Sequence, residues 1–93
     1  MPIAVHFEHP TMTIEQYDES MRRLDDAGLA APAGRLVHIC YENENRLEIL
    51  SVWDSQESID AFVAKLHPLA VESGITDPVF PTVSNVVKLV VAD

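Results

Sequence analysis

At 93 residues, 47% of them apolar, the chain is long enough for one domain built on one hydrophobic core, residues 1–93, and too short for two. Its net charge of −9 and pI near 4.6, with the basic residues scattered, exclude the clustered Lys and Arg that nucleic acid or an anionic membrane surface requires. One cysteine, Cys40, leaves no intramolecular disulfide; the N-terminus MPIAVHFEH lacks a basic-then-apolar leader, and no apolar run approaches the ~20 residues of a membrane span, so a cytoplasmic protein is expected.

Pro2 to His9 alternates as a half-buried strand does, with Ile3, Val5, Phe7 and His9 on one side and Ala4, His6 and Glu8 on the other. Pro10 ends it. Thr13, followed three residues later by Gln16, is a capping box at the head of a helix whose buried stripe is Ile14, Tyr17, Met21 and Leu24 and whose end is marked by Gly28. After an Ala-, Pro- and Gly-bearing loop, Arg35 to Glu42 forms a second strand. It is joined through Asn43, Glu44 and Asn45 to a third, Arg46 to Trp53, as an antiparallel hairpin. Two registers are open: a three-residue loop sets Cys40 opposite Glu48, and a four-residue loop sets it opposite Ile49, which exchanges the faces.

The third strand places Leu47, Ile49, Ser51 and Trp53 on one face and Glu48, Leu50 and Val52 on the other. Asp54 as N-cap and Glu57 as its capping-box partner start a second helix at about Ser55, with Ile59, Phe62, Val63 and Leu66 as its buried stripe. His67-Pro68 is expected to interrupt that helix, with a further turn from Leu69 to Ser73 closed by Gly74. A Pro-bearing loop over Thr76 to Pro81 leads to a last strand, Val83 to Val91.

The order βαββαβ specifies an α+β, ferredoxin-like fold, with two helices on one face of a four-stranded antiparallel sheet. The third and fourth strands are apolar on both faces, and a helix-free face exposed to water would not be. A homodimer formed through that face is therefore expected.

Three stretches resemble a known family. VWDSQESIDAF is similar to the strand-terminal Trp, acidic residue, Ser and aromatic-bearing helix of the dimeric α+β barrel superfamily, near the antibiotic-biosynthesis monooxygenases. LVHICY resembles the His-bearing second strand of some bacterial members, and HPLAVESGI their helix-breaking Pro and closing Gly-Ile. The resemblance implies a dimeric α+β barrel and a place among cofactor-free oxygenases, haem-degrading enzymes, isomerases and proteins of no known activity. Where the haem-degrading members carry an iron-ligating His, this chain has Ala61, Phe62, Val63 and Ala64, so no haem is expected. Neither a Gly-rich nucleotide turn nor a GxSxG nucleophile elbow is present, and no cofactor is expected.

The candidate chemistry rests with the histidines and aromatics. His38, among Leu36, Val37, Ile39 and Cys40, should be neutral near pH 7 and able to accept a proton as catalytic base, where the plainer reading is a core His with one hydrogen bond. Trp53, Tyr41, His6, Tyr17 and Phe62 are candidates to line a pocket between sheet and helices; Trp53 and the tyrosines also serve simply as packing groups. The expected function is a cofactor-independent monooxygenase, or related enzyme, acting on an aromatic or polyketide-like small molecule. One alternative is a non-catalytic ligand-binding or assembly module. The other is a metal-dependent variant in which His6, Glu8 and His38 supply two imidazoles and a carboxylate.

Overall fold

The computed structural model describes residues 1–76 and 79–92. The chain forms β1 (Ile3–His9), α1 (Ile14–Asp26), β2 (Arg35–Asn43), β3 (Arg46–Trp53), α2 (Gln56–Glu72) and β4 (Thr82–Asn85). The strands make one antiparallel sheet in the order β2-β3-β1-β4, the ferredoxin-like arrangement expected from the element order.

Pairing fixes the two faces. Val5 stands opposite Ser51 and Ser51 opposite His38, while His6 pairs with Leu50 and Leu50 with Ile39. Residues paired across antiparallel strands share a face, so Ile3, Val5, Phe7, His9, Trp53, Ser51, Ile49, His38 and Cys40 lie together. Both helices cover that face. Ile59 of α2 packs with Ile3, Val5 and Trp53, with Phe7 and Phe62 around them, and Tyr17 of α1 bonds to His38. Val5 and Trp53, 0% and 1% exposed, are the centre of the core.

Local signals place both helix ends. Thr13 and Gln16 form the capping box, Gln16 N–H on Thr13 Oγ1 at 3.1 Å and Thr13 N–H on Gln16 Oε1 at 3.0 Å. Gly28 and Gly74 adopt φ of 75° and 88°. They close Schellman motifs, in which Leu29 N–H reaches Leu24 O at 2.8 Å and Ile75 N–H reaches Ala70 O at 2.9 Å.

Five expectations are corrected or resolved. Cys40 faces Ile49, because Asn43 pairs with Arg46 and Glu44 and Asn45 both take positive φ, 51° and 65°, as a two-residue type I′ turn requires. The α2 cap is Ser55, whose Oγ accepts Ser58 N–H at 3.2 Å. Asp54 instead accepts from the Ser58 hydroxyl at 2.6 Å, and its own N–H donates to Gly34 O at 2.8 Å, tying the α1–β2 loop to the helix start. Pro68 does not break α2; it leaves the Ala64 carbonyl without one N–H while the turns on either side continue. On α1, Ile14 is 53% exposed and Ser20 is buried, since Ile14 opens the first turn, ahead of the stretch that meets the sheet. The last strand is much shorter than expected: Asn85 pairs with Ile3, Val86 N–H reaches Pro2 O at 2.9 Å, and there β1 runs out of partners. Residues 86–92 carry no strand pairing, and Val87 and Val90 are 90% and 77% exposed. Of the loop expected at 76–81, residues 77 and 78 lie outside the described residues. No described helix is long and apolar enough to cross a membrane.

Candidate functional site

The six residues singled out in the sequence divide between the two faces of the sheet. On the helix-covered face, the Tyr17 hydroxyl lies 2.7 Å from His38 Nε2. Their ring planes are 5° apart with centroids separated by 6.3 Å, the geometry of rings meeting end to end. Burial pushes the Tyr17 phenol up to about 12, helped by the neighbouring Cys40 thiol. Tyr17 therefore stays protonated and donates. Burial, and then the positive charge of Arg35, lower the His38 pKa, so the ring is neutral near pH 7 and, in the tautomer protonated at Nδ1, accepts the phenol O–H at Nε2. Cys40, two residues along β2 on the same face, has its own thiol pKa raised by burial and is not a thiolate at neutral pH.

Trp53 closes β3 beneath α2. Its indole N–H donates to Ser51 Oγ at 2.9 Å, its ring meets Phe62 at 5.4 Å, and Arg35 stacks over the other aromatic of that pair at 5.9 Å. With 1% of its surface exposed, Trp53 acts here as a packing residue.

An apolar cleft of ≈ 380 Å³ opens between the sheet and α2, lined among others by Phe7, His9, Ile49, Val63, Leu66 and His67. Phe7 and His9 point the same way along β1 with ring centroids 5.9 Å apart, and burial lowers the His9 pKa. Ile49 is the direct cross-strand neighbour of Cys40. A flat apolar molecule in this cleft would lie against uncharged imidazole, aliphatic and aromatic walls. His9 already stood on the apolar side of the β1 alternation; its part in a cleft with α2 depends on how the helix crosses the sheet.

His6 and Tyr41 belong to the helix-free face. His6 Nε2 donates to Glu48 Oε1 at 2.7 Å, the Tyr41 hydroxyl donates to the same oxygen at 3.3 Å, and Asn43 Nδ2 donates to Oε2 at 3.0 Å. Asn43 and then His6 hold the Glu48 carboxyl below its usual range. The expected metal set of His6, Glu8 and His38 is therefore overturned: His38 points to the opposite face, and Glu48 stands where it was expected. Sequence reasoning missed Glu48 because only the β1–β3 pairing brings it opposite Glu8.

No family model and no curated protein matches the chain. Solved structures do. Rv0793 from Mycobacterium tuberculosis superposes with TM-score 0.62 at 21% identity, over 96% of this chain and 98% of that one. SnoaB, a cofactor-independent oxygenase from Streptomyces nogalater, gives 0.65 at 13% identity over 95% and 94%. A candidate antibiotic biosynthesis monooxygenase from Chloroflexus aurantiacus J-10-fl gives 0.60 at 19% over 91% and 94%. Since the likeness runs through nearly the whole of every chain compared, this protein has the fold of those structures, a ferredoxin-like sheet of four antiparallel strands carrying two helices on one face.

Proposed function

We propose that this chain is a homodimeric small-molecule enzyme that deprotonates an acidic aromatic or polyketide-like substrate and lets the resulting carbanion react with O₂ without a cofactor. The observation that carries the reading is the apolar cleft between sheet and α2 with the His9 imidazole in its wall. That imidazole is kept neutral by burial, which suits a general base working near pH 7. A structural neighbour, SnoaB, is itself a cofactor-independent oxygenase, and such chemistry asks of the protein only a base and a dry, shaped pocket. We assign the base to His9. His38, whose Nε2 already accepts from Tyr17, is the alternative base, acting through the Tyr17 hydroxyl.

The homodimer would form through the helix-free face, where Ile39 and Tyr41 are 46% and 39% exposed. A stable interface there buries on the order of 1,500 Å² in total. Light scattering should return about twice the 10.3 kDa chain mass; a monomer at micromolar concentration refutes the dimer.

The reaction is tested by O₂ uptake over a panel of enolisable polycyclic phenols. Loss of a general base lowers kcat by about 10²- to 10⁴-fold, so His9→Ala should show that fall and His38→Ala a smaller one. The reverse order moves the base to His38. Turnover unchanged in both variants, or uptake that requires an added flavin or metal, overturns the reading.

A further inference from the structure

On the face of the sheet away from that cleft, and without resting on the proposed reaction, we propose that His6, Glu8 and Glu48 form a binding site for a divalent transition-metal ion such as Zn²⁺, Mn²⁺ or Fe²⁺. One donor atom from each of the three lies within 4.8 Å of the other two, and His6 Nε2 and Glu48 Oε1 are 2.7 Å apart. Ligand atoms around a tetrahedral ion with bonds of about 2.0–2.1 Å are separated by about 3.4 Å. The ideal separation lies between the 2.7 Å His6–Glu48 distance and the 4.8 Å limit of the trio, so modest side-chain rotations would complete the coordination.

Strand pairing makes the arrangement unfavourable without a cation. Glu8 and Glu48 are direct cross-strand partners, and like charges opposite one another destabilise an antiparallel pair. Arg46 offers partial relief only, with NH1 3.9 Å from Glu8 Oε2. Glu48 is 8% exposed, and the bonds from Asn43 and His6 already hold it as the carboxylate that a metal ion requires.

The surroundings favour a metal as well. Asn43 and Tyr41 hold the Glu48 oxygens from outside the trio, the kind of supporting contact that orients a ligating carboxylate. Three protein ligands leave at least one coordination position open, as in catalytic rather than structural metal sites. Ile39 and Tyr41 of the proposed dimer contact stand on β2, at the far edge of this helix-free face, whereas beside His6 and Glu8, toward β4, lies a cleft of ≈ 450 Å³ bordered by Pro10, Arg46, Val79, Phe80 and Thr82, with room for water or a small oxygen-bearing ligand on the ion. One imidazole with two carboxylates is a hard to borderline donor set, which suits these ions better than Cu(I).

The test uses the intact, metal-stripped protein and titrates it with Zn²⁺ by calorimetry and with Co²⁺ by visible absorption. Saturable binding of one ion per chain is expected, with cobalt bands of a nitrogen–oxygen site. Glu8→Gln should weaken binding at least tenfold with thermal stability unchanged or raised, because Glu8 is exposed and its charge faces Glu48. His6→Gln should weaken it similarly. Both His9→Ala and His67→Ala should leave it intact. If His6→Gln fails to fold, Glu8→Gln decides. The proposal is overturned by absence of saturable binding, by wild-type affinity in Glu8→Gln, by loss of binding in His9→Ala or His67→Ala, or by a thiolate-to-cobalt charge-transfer band, which would place the ion on Cys40.

Discussion

The bond between Tyr17 and His38 joins two of the sequence-selected residues on the helix-covered face, and its strength can be measured directly. Tyr17→Phe removes the hydroxyl while keeping the ring; His38→Leu removes the acceptor while filling much of its volume. Both groups are half-buried and the O···N distance is 2.7 Å, so a net contribution of about 0.5–1.5 kcal/mol is expected for a neutral bond of this kind. Each single variant should lose about 1–2 kcal/mol, because the surviving partner is left partly unsatisfied. The double-mutant cycle should return a coupling of about 1 kcal/mol. The pH dependence follows from the sign of the shift. The folded His38 pKa lies below the ordinary imidazole value of about 6.5, so between the two the unfolded chain binds more protons, and stability rises with pH through that window. The contribution is complete above about pH 6.5 and declines as pH falls toward the folded value, where a protonated imidazole can no longer accept from the phenol. Urea unfolding of the four proteins at pH 7.5 and at pH 5, at one fixed protein concentration because association would shift the midpoint, reads both effects. A coupling under about 0.3 kcal/mol at pH 7.5, or one that grows on acidification, would show that the bond contributes nothing.

Two further outcomes test how the fold is assembled. Gly34 has φ of 88°, and a Cβ there would collide with Ser58 Oγ and lie 2.6 Å from Asp54 Oδ1. Gly34→Ala should therefore cost about 2–4 kcal/mol in chemical denaturation, from left-handed strain plus disruption of the α2 cap. A loss under 0.5 kcal/mol would mean the loop moves freely away from the cap. Pro68 sits inside α2 and is exposed, so Pro68→Ala should raise stability by about 1–3 kcal/mol, toward the full helix-interior penalty of Pro; a thermal midpoint that falls would show that the ring makes a contact worth more than the bond it forfeits.

What the sequence determined by itself lay within a few residues: the alternation of β1 and β3, the Thr13–Gln16 box, the glycine-closed ends of both helices and the βαββαβ order, though not the α2 cap, which moved from Asp54 to Ser55 because Asp54 is tied to Gly34 across the chain. Each depends on contacts between near neighbours in the chain, so residue type and spacing suffice. Pro68 shows where local reasoning failed, because a helix anchored on the sheet by Ile59 and Phe62 outweighs one missing hydrogen bond. Strand pairing decided the rest. Alternation tells which residues of one strand share a face, and only register tells which faces of two strands coincide. His38 and His6 alternate identically in isolation, yet pairing turns His38 toward Tyr17 and His6 toward Glu48. The length of β4 was likewise settled by where β1 begins, since a strand ends when its neighbour offers no further N–H or C=O. The cleft at His9 and the carboxylate pair on the opposite face exist only because residues about 40 to 60 positions apart are brought together by that pairing and by the crossing of α2.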